Sequence, residues 1–541
     1  MGETSTMRSI VTAVDFGTTF SGVAWAQTRN PDAHYIINQW PQSISGSCDG
    51  MASEKVPTEI AYQYTPPEPR YLWGFQIPET MPRMQWIKLG LVPDQKSGIG
   101  SRLAMEYKDP RRASVPYHSS DEEVVTDYLR CLREHTIEIL RSKIGISIDN
   151  TPLEFVITVP AVWPDQAKVK TLNCAEKAGF GETSKIRIIS EPEAAAIHSM
   201  SASSPHGLEV DDTIVICDAG GGTVDLITFT IVQLVPNLRL KEEAPGDGKL
   251  CGGTFVNRRF EEFLKERLSS NPGWELDTFN NAMHRFETVT KRTFSGNTDD
   301  DFMFPVPGIA DTKELGVHRG RLQASGDTMK ELFAPVLDEI HDLVKQQVET
   351  SSKNVRAIFL VGGFGQSPYL RKFLRDAFSP GIQVIAPVDG WTAVVRGALA
   401  KTLGDIAPLV VRSCIDSRKA RKNYGMVKSV LFDANLHDAN KKYWFEFDGE
   451  YRINVMHWFI CKGDEIKETE PIKTEWWQRI LVKYGPVNSI RTKLYELDTA
   501  LDEQPPMYVN RHMKQHAILN PTLSHLEKEL MPTKKIRDGE I

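Results

Sequence analysis

Runs of apolar, β-branched residues alternate with helix-like patterns before residue 405 of the chain. The run at 9–14 predicts a buried strand that ends in a glycine turn at 15–19 and returns as a second strand at 22–26. The same order of strand, glycine turn and strand occurs at 213–230. Because the two turns are alike and lie about 200 residues apart, they indicate an internal duplication at the scale of a domain.

Helical spacing of apolar residues predicts long helices over 121–143 and 327–350. A buried strand is predicted at 357–361, closed by Gly362 and Gly363 and followed by a helix. Strands that alternate with helices in this way predict an α/β fold.

Beyond residue 405 the character of the chain changes. A basic run at 412–422 is more typical of a solvated loop than of a localisation signal or partner patch. Short aromatic segments follow and predict a small β-rich module with an irregular polar tail. The aromatic residues interpreted as the core of this module are Trp444, Trp458, Phe459, Trp476 and Trp477.

Composition narrows the class of protein. A chain of 541 residues is long enough for two or three domains. The net charge of −7 is spread along the chain, which argues against nucleic acid and anionic membrane as partners. The sequence has neither an apolar run of about 18 residues nor a secretory signal. Seven scattered cysteines without CxxC spacing favour reduced thiols, and so a cytoplasmic protein, over disulfides or zinc.

The two glycine turns are the strongest candidates in the sequence for a phosphate-binding site. Glycine lets backbone N–H groups approach a bulky anion, and threonine hydroxyls add donors. An aspartate at the strand end can hold Mg²⁺ through water. Two ordinary tight hairpins are the alternative interpretation, which the likeness of the turns disfavours. The residues concerned are Asp15, Gly17, Thr18 and Thr19 in the first turn, and Asp218, Gly220, Gly221, Gly222 and Thr223 in the second.

Two further segments are weaker candidates. Gly362 and Gly363 could let a base or ribose lie against the backbone, although such joints are common. Glu191, at the start of an alanine-rich helix, could orient or deprotonate a water, or could simply favour the helix N-terminus. Neither a Walker-type P-loop nor a dinucleotide-binding GxGxxG unit occurs in the sequence.

Five motifs occur in order along the chain: VDFGTTFSGVA at 14–24, ITVPA at 157–161, EPEAAA at 191–196, DAGGGTVD at 218–225 and LVGG at 360–363. Over roughly residues 10–405 the chain thereby resembles the nucleotide-binding domain of the heat-shock 70 kDa chaperone family, part of the actin-like ATPase superfamily. The segments FSGVA at 20–24 and FGQSPYL at 364–370 are most similar to the divergent member-12 branch, well represented among fungal proteins.

The resemblance implies a two-lobed α/β fold of duplicated ribonuclease-H-like architecture, with ATP or ADP and Mg²⁺ in the cleft and a C-terminal β-rich module. The expected boundaries are lobe I at 10–205 with an insertion at about 34–118, lobe II at 206–385 with an insertion at about 246–311, a return to lobe I at 386–405, and the C-terminal module at 406–541.

The resemblance also implies roles for single residues. Asp15 and Asp218 would face Mg²⁺ through its waters, and Glu191 would lie near the attacking water, with Thr223 as a further catalytic residue. The remaining residues of the two turns would hold phosphates. The residues implied at the adenosine are Gly362, Gly363, Lys291, Arg292 and Ser295.

Departures from the family pattern bear on activity. Chaperone members carry a lysine after a turn in lobe I, where this chain reads WGFQIP at 73–78. Loss of a cation beside the γ-phosphate costs roughly one or more orders of magnitude in rate. An aspartate of the family is replaced by Trp391. The C-terminal part is shorter than a β-sandwich peptide domain with a helical lid, and its end at 537–541 leads us to expect a module without its closing strands.

Three functions are compatible with the sequence. The first is a slow Mg²⁺-dependent ATPase whose nucleotide state controls binding of a protein partner or client. The second is a nucleotide-binding scaffold without turnover, favoured by the missing lysine. The third is a small-molecule kinase of the same superfamily, which needs a catalytic aspartate for which the sequence has no convincing candidate.

Overall fold

The computed structural model describes residues 9–42, 52–65, 68–78, 81–92, 120–202, 207–406, 414–467, 470–475, 489–521, 535–536 and 539–540. The chain forms two compact units, Met1–Ile415 and Asp416–Ile541. Among the described residues, no helix combines the length and the apolar character needed to cross a bilayer.

The strands are β1 (Ile10–Asp15), β2 (Phe20–Gln27), β3 (Asn30–Ile36), β4 (Val56–Pro57), β5 (Glu59–Thr65), β6 (Glu68–Trp73), β7 (Met84–Gln85), β8 (Leu153–Val159), β9 (Arg187–Ser190), β10 (Thr213–Ala219), β11 (Val224–Gln233), β12 (Arg239–Lys249), β13 (Asp301–Pro305), β14 (Val317–His318), β15 (Arg321–Ser325), β16 (Val355–Val361), β17 (Gln383–Ile385), β18 (Cys414–Lys419), β19 (Asn423–Leu431), β20 (Tyr443–Phe445), β21 (Glu450–Ile460), β22 (Glu465–Lys467), β23 (Thr492–Leu497), β24 (Lys514–Leu519), β25 (Lys535–Ile536) and β26 (Gly539–Glu540).

The helices are α1 (Asp121–Ile144), α2 (Asp165–Lys177), α3 (Glu191–Ala202), α4 (Gly253–Leu268), α5 (Leu276–Arg285), α6 (Lys291–Thr293), α7 (Gly326–Thr350), α8 (Pro368–Phe378) and α9 (Ala393–Ile406). The 3₁₀ turns are Gly74–Gln76, Ile87–Leu91, Gly145–Asn150, Thr183–Lys185, Phe364–Gln366 and Ala439–Lys441, and a π-helical turn spans Phe286–Thr290.

Two sheets in the first unit share one topology, which confirms the duplication predicted from the two turns. One sheet has the order β3-β2-β1-β8-β9 and the other the order β12-β11-β10-β16-β17. In each, three antiparallel strands form a meander, and the meander's first strand pairs in parallel with the next strand of the sheet. Each glycine turn therefore joins the first two strands of its own sheet.

Helices α3 and α9 form a layer between the two sheets. Their alanine-rich faces pack in one core with inward residues of both sheets, including Val11, Ala13, Ile214 and Ile216. The helices approach so closely that a Cβ on Gly397 would lie 1.7 Å from the carbonyl oxygen of Ala194. The alternate residues of the strands face outward, because successive side chains of a strand point to opposite faces, and pack with α1, α7 and their neighbours.

The predicted helix limits agree with the structure, because capping residues mark them. Ser120 and Glu123 form a reciprocal capping box at the start of α1. Ser325 caps α7, and Ser367 accepts from the Leu370 N–H at the start of α8. The predicted insertion in lobe I contains the sheet β6-β5-β7, and residues 93–119 of it lie outside the described part.

The second unit contains an antiparallel sheet of order β20-β21-β19-β23-β24, in agreement with the predicted β-rich module. The interpretation of the basic run as a loop is wrong for 414–419, which form β18 and pair with β22 at 417–419, whereas 420–422 connect β18 to β19. Residues 412 and 413 lie outside the described part of the chain. Trp444 is 56 % exposed, so it is not a core residue. The Trp458 indole N–H donates to the Pro506 carbonyl. Trp476 and Trp477 lie outside the described residues.

Candidate functional site

The structure brings the two glycine turns into direct contact. The Thr19 side chain faces Gly221, where an added Cβ would lie 2.1 Å from the Thr19 Oγ1. The Thr18 side chain faces Gly222, where the corresponding distance to the Thr18 Cγ2 would be 2.6 Å. Only glycine fits at these two positions, so the sequence of the second turn is set by the approach of the first.

The second turn presents a row of backbone donors. The carbonyls of Gly220, Gly221 and Gly222 accept hydrogen bonds from the N–H groups of 252–254, at 2.8 to 3.1 Å. The C=O and N–H of a trans peptide point in opposite directions. The N–H groups of Gly221, Gly222 and Thr223 therefore point away from the start of α4, in the manner of an anion-binding nest.

Two carboxylates lie beside this turn. Asp218 of β10 and Asp225 of β11 are cross-strand partners, so their side chains share one face of the sheet. Burial, then the neighbouring charges of Asp225 and Asp15, raises the pKa of Asp218 to about 7. Burial also raises the pKa of Asp225, while a hydrogen bond from Thr223 opposes the shift. Asp225 is a site residue that the sequence pattern does not predict, although it is the last residue of the DAGGGTVD motif.

A third carboxylate, Asp15 at the end of β1, has both oxygens occupied. Lys55 Nζ donates to Oδ2 at 2.6 Å, and the Thr158 hydroxyl donates to Oδ1 at 3.1 Å. Thr158 reaches Asp15 because β8 runs parallel to β1 in the same sheet. Both members of the Lys55–Asp15 ion pair are buried.

Glu191, the first residue of α3, is held by a second buried lysine. Lys88 Nζ lies 2.5 Å from the Glu191 Oε1, and the rings of Phe16 and Trp163 lie 5.8 and 5.3 Å from the ammonium. Burial raises the pKa of Glu191 from its ordinary value, and the positive charge of Lys88 opposes that shift. The neighbouring charges of the aspartates act in the same direction as burial.

The segment 73–78 lacks the lysine of chaperone members, and two lysines from other segments bring positive charge to the cleft. Gly74–Gln76 is a 3₁₀ turn, with Gly74 packed against Val56. Lys55 and Lys88 supply the cations from other segments. A signal for Lys88 was present in the sequence, since a lysine inside the apolar run 86–91 is typical of a buried, paired side chain.

The third glycine element lies against the second turn. Gly362 has φ +83°, and an added Cβ would lie 2.3 Å from the Asp218 Oδ1. Its N–H donates to the Gly390 carbonyl. Gly363 is exposed, and a Cβ there would lie 3.5 Å from Trp391, whose ring contacts that of Phe20. The residue that replaces the family aspartate thus packs between the first and third glycine elements.

The segment 291–295 lies beside the helix that follows Gly363, because the Phe294 ring contacts Tyr369 of α8. Lys291 Nζ donates to Asn257 Oδ1 at 2.7 Å. Burial lowers the pKa of Lys291 to about 8, against the charge of Glu287. Arg292 and Ser295 are exposed.

Two duplicated sheets with facing glycine turns and acidic strand ends define the class of actin-like ATPase folds. The family model described as Hsp70 protein matches residues 117–403, more than half of the chain. The chain therefore belongs to the heat-shock 70 kDa family. A domain of unknown function, DUF8568, matches residues 418–518.

The relatives indicate a divergent, member-12-like branch of this family. The chain is 26% identical to heat shock 70 kDa protein 12A of Mus musculus over 508 residues, covering 77% of this chain and 72% of that protein. It is 24% identical to heat shock 70 kDa protein 12B of Homo sapiens over 520 residues, covering 80% and 73%. It is 26% identical to the chaperone protein DnaK of Nitrosopumilus maritimus over 271 residues, covering 49% and 41%.

Proposed function

We propose that the cleft binds ATP with magnesium and hydrolyses it slowly, and that the nucleotide state acts as a conformational switch for a protein partner. The observation that carries this proposal is the contact of the two glycine turns, Thr18 and Thr19 against Gly222 and Gly221. The nest of the second turn and the threonine hydroxyls of the first give phosphate donors from two lobes.

The acidic residues of the cleft fit a magnesium ion. Among the described residues, Asp225 Oδ1 is a buried carboxylate oxygen without a hydrogen-bond donor. Asp218 and Asp15 carry the neighbouring carboxylates, and hard oxygen ligands of this kind are those that Mg²⁺ prefers. When bound, the ion would neutralise phosphate charge. These three aspartates would hold it, directly or through water.

Glu191 and Lys88 are proposed to act on the attacking water. A carboxylate whose pKa is raised by burial is a stronger base than an exposed one once it is deprotonated. The Lys88 ammonium holds that carboxylate in place and would supply positive charge to a phosphoryl group that gains negative charge. Gly362, Gly363 and the segment 291–295 are proposed to hold the adenosine.

The test is single-turnover hydrolysis of radiolabelled ATP by the full chain, beside an ATP-binding titration. Glu191→Gln is expected to keep ATP binding and to lower the hydrolysis rate by about 100-fold, as loss of a general base does. Tight binding and equal hydrolysis by wild type and Glu191→Gln would contradict the role of Glu191. Absence of ATP binding by the wild type would contradict the proposed function as a whole.

A nucleotide-binding scaffold without turnover is the second candidate. It is favoured by the engagement of Glu191 with Lys88, since a carboxylate held by an ammonium is less free to accept a proton. This candidate predicts ATP binding with no phosphate released by the wild type. A chaperone-like role in the cytoplasm is part of our proposal for either candidate, by analogy with the relatives named chaperones.

A further inference from the structure

Lys55 is placed beside the first glycine turn by a short strand. β4 pairs with β2 immediately after the turn, at Phe20 and Ser21. The Thr58 N–H donates to the Thr19 carbonyl at 2.8 Å, which fastens the segment to the turn itself. The aliphatic stem of Lys55 packs over Gly22, where an added Cβ would lie 3.1 Å from the Lys55 Cγ. Its ammonium is thereby directed at Asp15.

The charges of the cleft are paired unevenly. Asp15 is paired with Lys55, and Glu191 is paired with Lys88. No lysine or arginine of the described residues forms an ion pair with Asp218 or Asp225. A buried carboxylate without a directly bonded counter-charge is costly while it is ionised, so Asp218 and Asp225 are suited to a cation from solution.

Lys55 also occupies a position that a metal ion would contest. With Oδ2 bound to Lys55 and Oδ1 bound to Thr158, Asp15 has its strongest acceptor sites filled by the chain's own donors. A divalent cation bound to Oδ2 would lie within a few ångströms of the Lys55 ammonium, and the two positive charges would repel each other. A metal ion that coordinates Asp15 directly therefore competes with the ammonium of Lys55.

We propose that Lys55 is an internal counter-ion that competes with a divalent cation for Asp15, so that the metal binds poorly by itself and enters together with phosphate. Phosphate oxygens at the first turn give the displaced ammonium a new acceptor. The joint entry of metal and phosphate rests on the proposed function. The competition between Lys55 and a metal ion at Asp15 does not, because it involves the metal alone.

The competition is tested with Mn²⁺ alone, titrated into the full chain without nucleotide and followed by the electron paramagnetic resonance signal of free Mn²⁺. An adjacent opposite charge changes the proton affinity of a carboxylate by about 1–3 pKa units. On that scale, Lys55→Met is expected to bind Mn²⁺ at least about tenfold more tightly than the wild type. Equal or weaker Mn²⁺ binding by Lys55→Met would overturn the proposal.

Two control variants identify the cause of any increase in Mn²⁺ affinity. Thr158→Val removes the other donor to Asp15 without changing charge, so its gain in Mn²⁺ affinity is expected to be smaller than that of Lys55→Met, because a neutral donor binds a carboxylate less strongly than an ammonium does. The double variant Lys55→Met with Asp15→Asn is expected to lose the gain. A gain that persists in the double variant would also overturn the proposal, because the metal would then bind elsewhere.

Lys55→Gln is a second variant, measured in the same way if Lys55→Met gives no cooperative melting transition. Its amide can still donate to Asp15 but carries no charge, and it is expected to show the same gain. Binding of fluorescent ATP with Mg²⁺ is measured on every variant. Tighter Mn²⁺ binding by the Lys55 variants without ATP binding would overturn the proposed function but not the competition at Asp15. ATP binding without tighter Mn²⁺ binding would overturn the competition but not the proposed function.

Discussion

Single buried lysines balance the acidic residues of the cleft. Lys88 is 2 % exposed, and removal of one partner from a buried ion pair is usually strongly destabilising because a charge is left unpaired. Glu191 can escape that penalty by taking up a proton, since burial already raises its pKa. The effect of losing Lys88 should therefore appear in the chemistry more than in the stability.

Lys88→Met is expected to slow single-turnover ATP hydrolysis by about 100-fold, the usual effect of removing one preorganised charge from an active site. ATP affinity is expected to change by less than about tenfold, because the backbone donors of the second turn and the threonine hydroxyls of the first remain. The matched control is Lys345→Met. Lys345 is an exposed lysine on α7 whose ammonium lies 4.0 Å from the Glu349 carboxylate. A wild-type rate in Lys88→Met would mean that Lys88 serves only to neutralise Glu191.

The facing glycine turns are the decisive contact at the scale of the secondary-structure elements. They close the gap between two sheets whose strands carry the acidic residues, and they leave no room for a side chain at Gly221. An extra methyl group in a closely packed contact typically costs about 1–3 kcal/mol in stability. At Gly221 the added group would also push the two turns apart.

Gly221→Ala is expected to lower ATP affinity by at least about tenfold while the protein still folds, since the three atoms nearest to the new methyl group all belong to the Thr19 side chain. The matched control is Gly220→Ala in the same turn, where the nearest atom to the added Cβ is the Thr223 carbonyl oxygen at 3.2 Å. Titration of both variants with fluorescent ATP, with melting curves, separates binding from folding. Equal losses in the two variants would contradict a role for the contact with Thr19.

The whole first unit buries more acidic than basic groups in its cleft. Burial raises the pKa of Asp218 to about 7 and shifts the pKa values of Asp225 and Glu191 in the same direction. A carboxyl group whose pKa is higher in the folded than in the unfolded protein stabilises the fold at low pH. That contribution is lost as the pH rises through the folded-state pKa.

The nucleotide-free protein is therefore expected to melt at a lower temperature at pH 8.5 than at pH 6 when divalent cations are chelated, since the window around pH 7 is where Asp218 ionises. Asp225→Asn removes one of these groups and the charge that raises the pKa of Asp218, so its melting temperature should fall less over the same range. Differential scanning calorimetry at the two pH values provides the measurement. An equal decrease in the variant would show that other groups set the pH dependence.

The sequence predicts the parts of this molecule that depend on local pattern. Strand–turn–strand units, capped helix ends such as Ser367, and the duplicated topology follow from periodicity and turn residues. The ion pairs of the two cleft lysines do not follow from local pattern, because the partners are far apart in sequence. Lys55 and Asp15 are 40 residues apart, and Lys88 and Glu191 are 103 residues apart. The exposed position of Trp444 was also missed, because an aromatic cluster in sequence gives no indication of which face of a sheet it occupies.

The duplicated topology has a consequence for the ancestry of the fold. Two identical half-genes would have produced two lobes with the same charges, yet here Lys55 and Lys88 both come from the half that contains β1 to β9. The half that contains β10 and β11 carries Asp218 and Asp225, which form no ion pair with a lysine in the described part of the chain. The difference in charge between the two halves of the cleft therefore arose after the duplication.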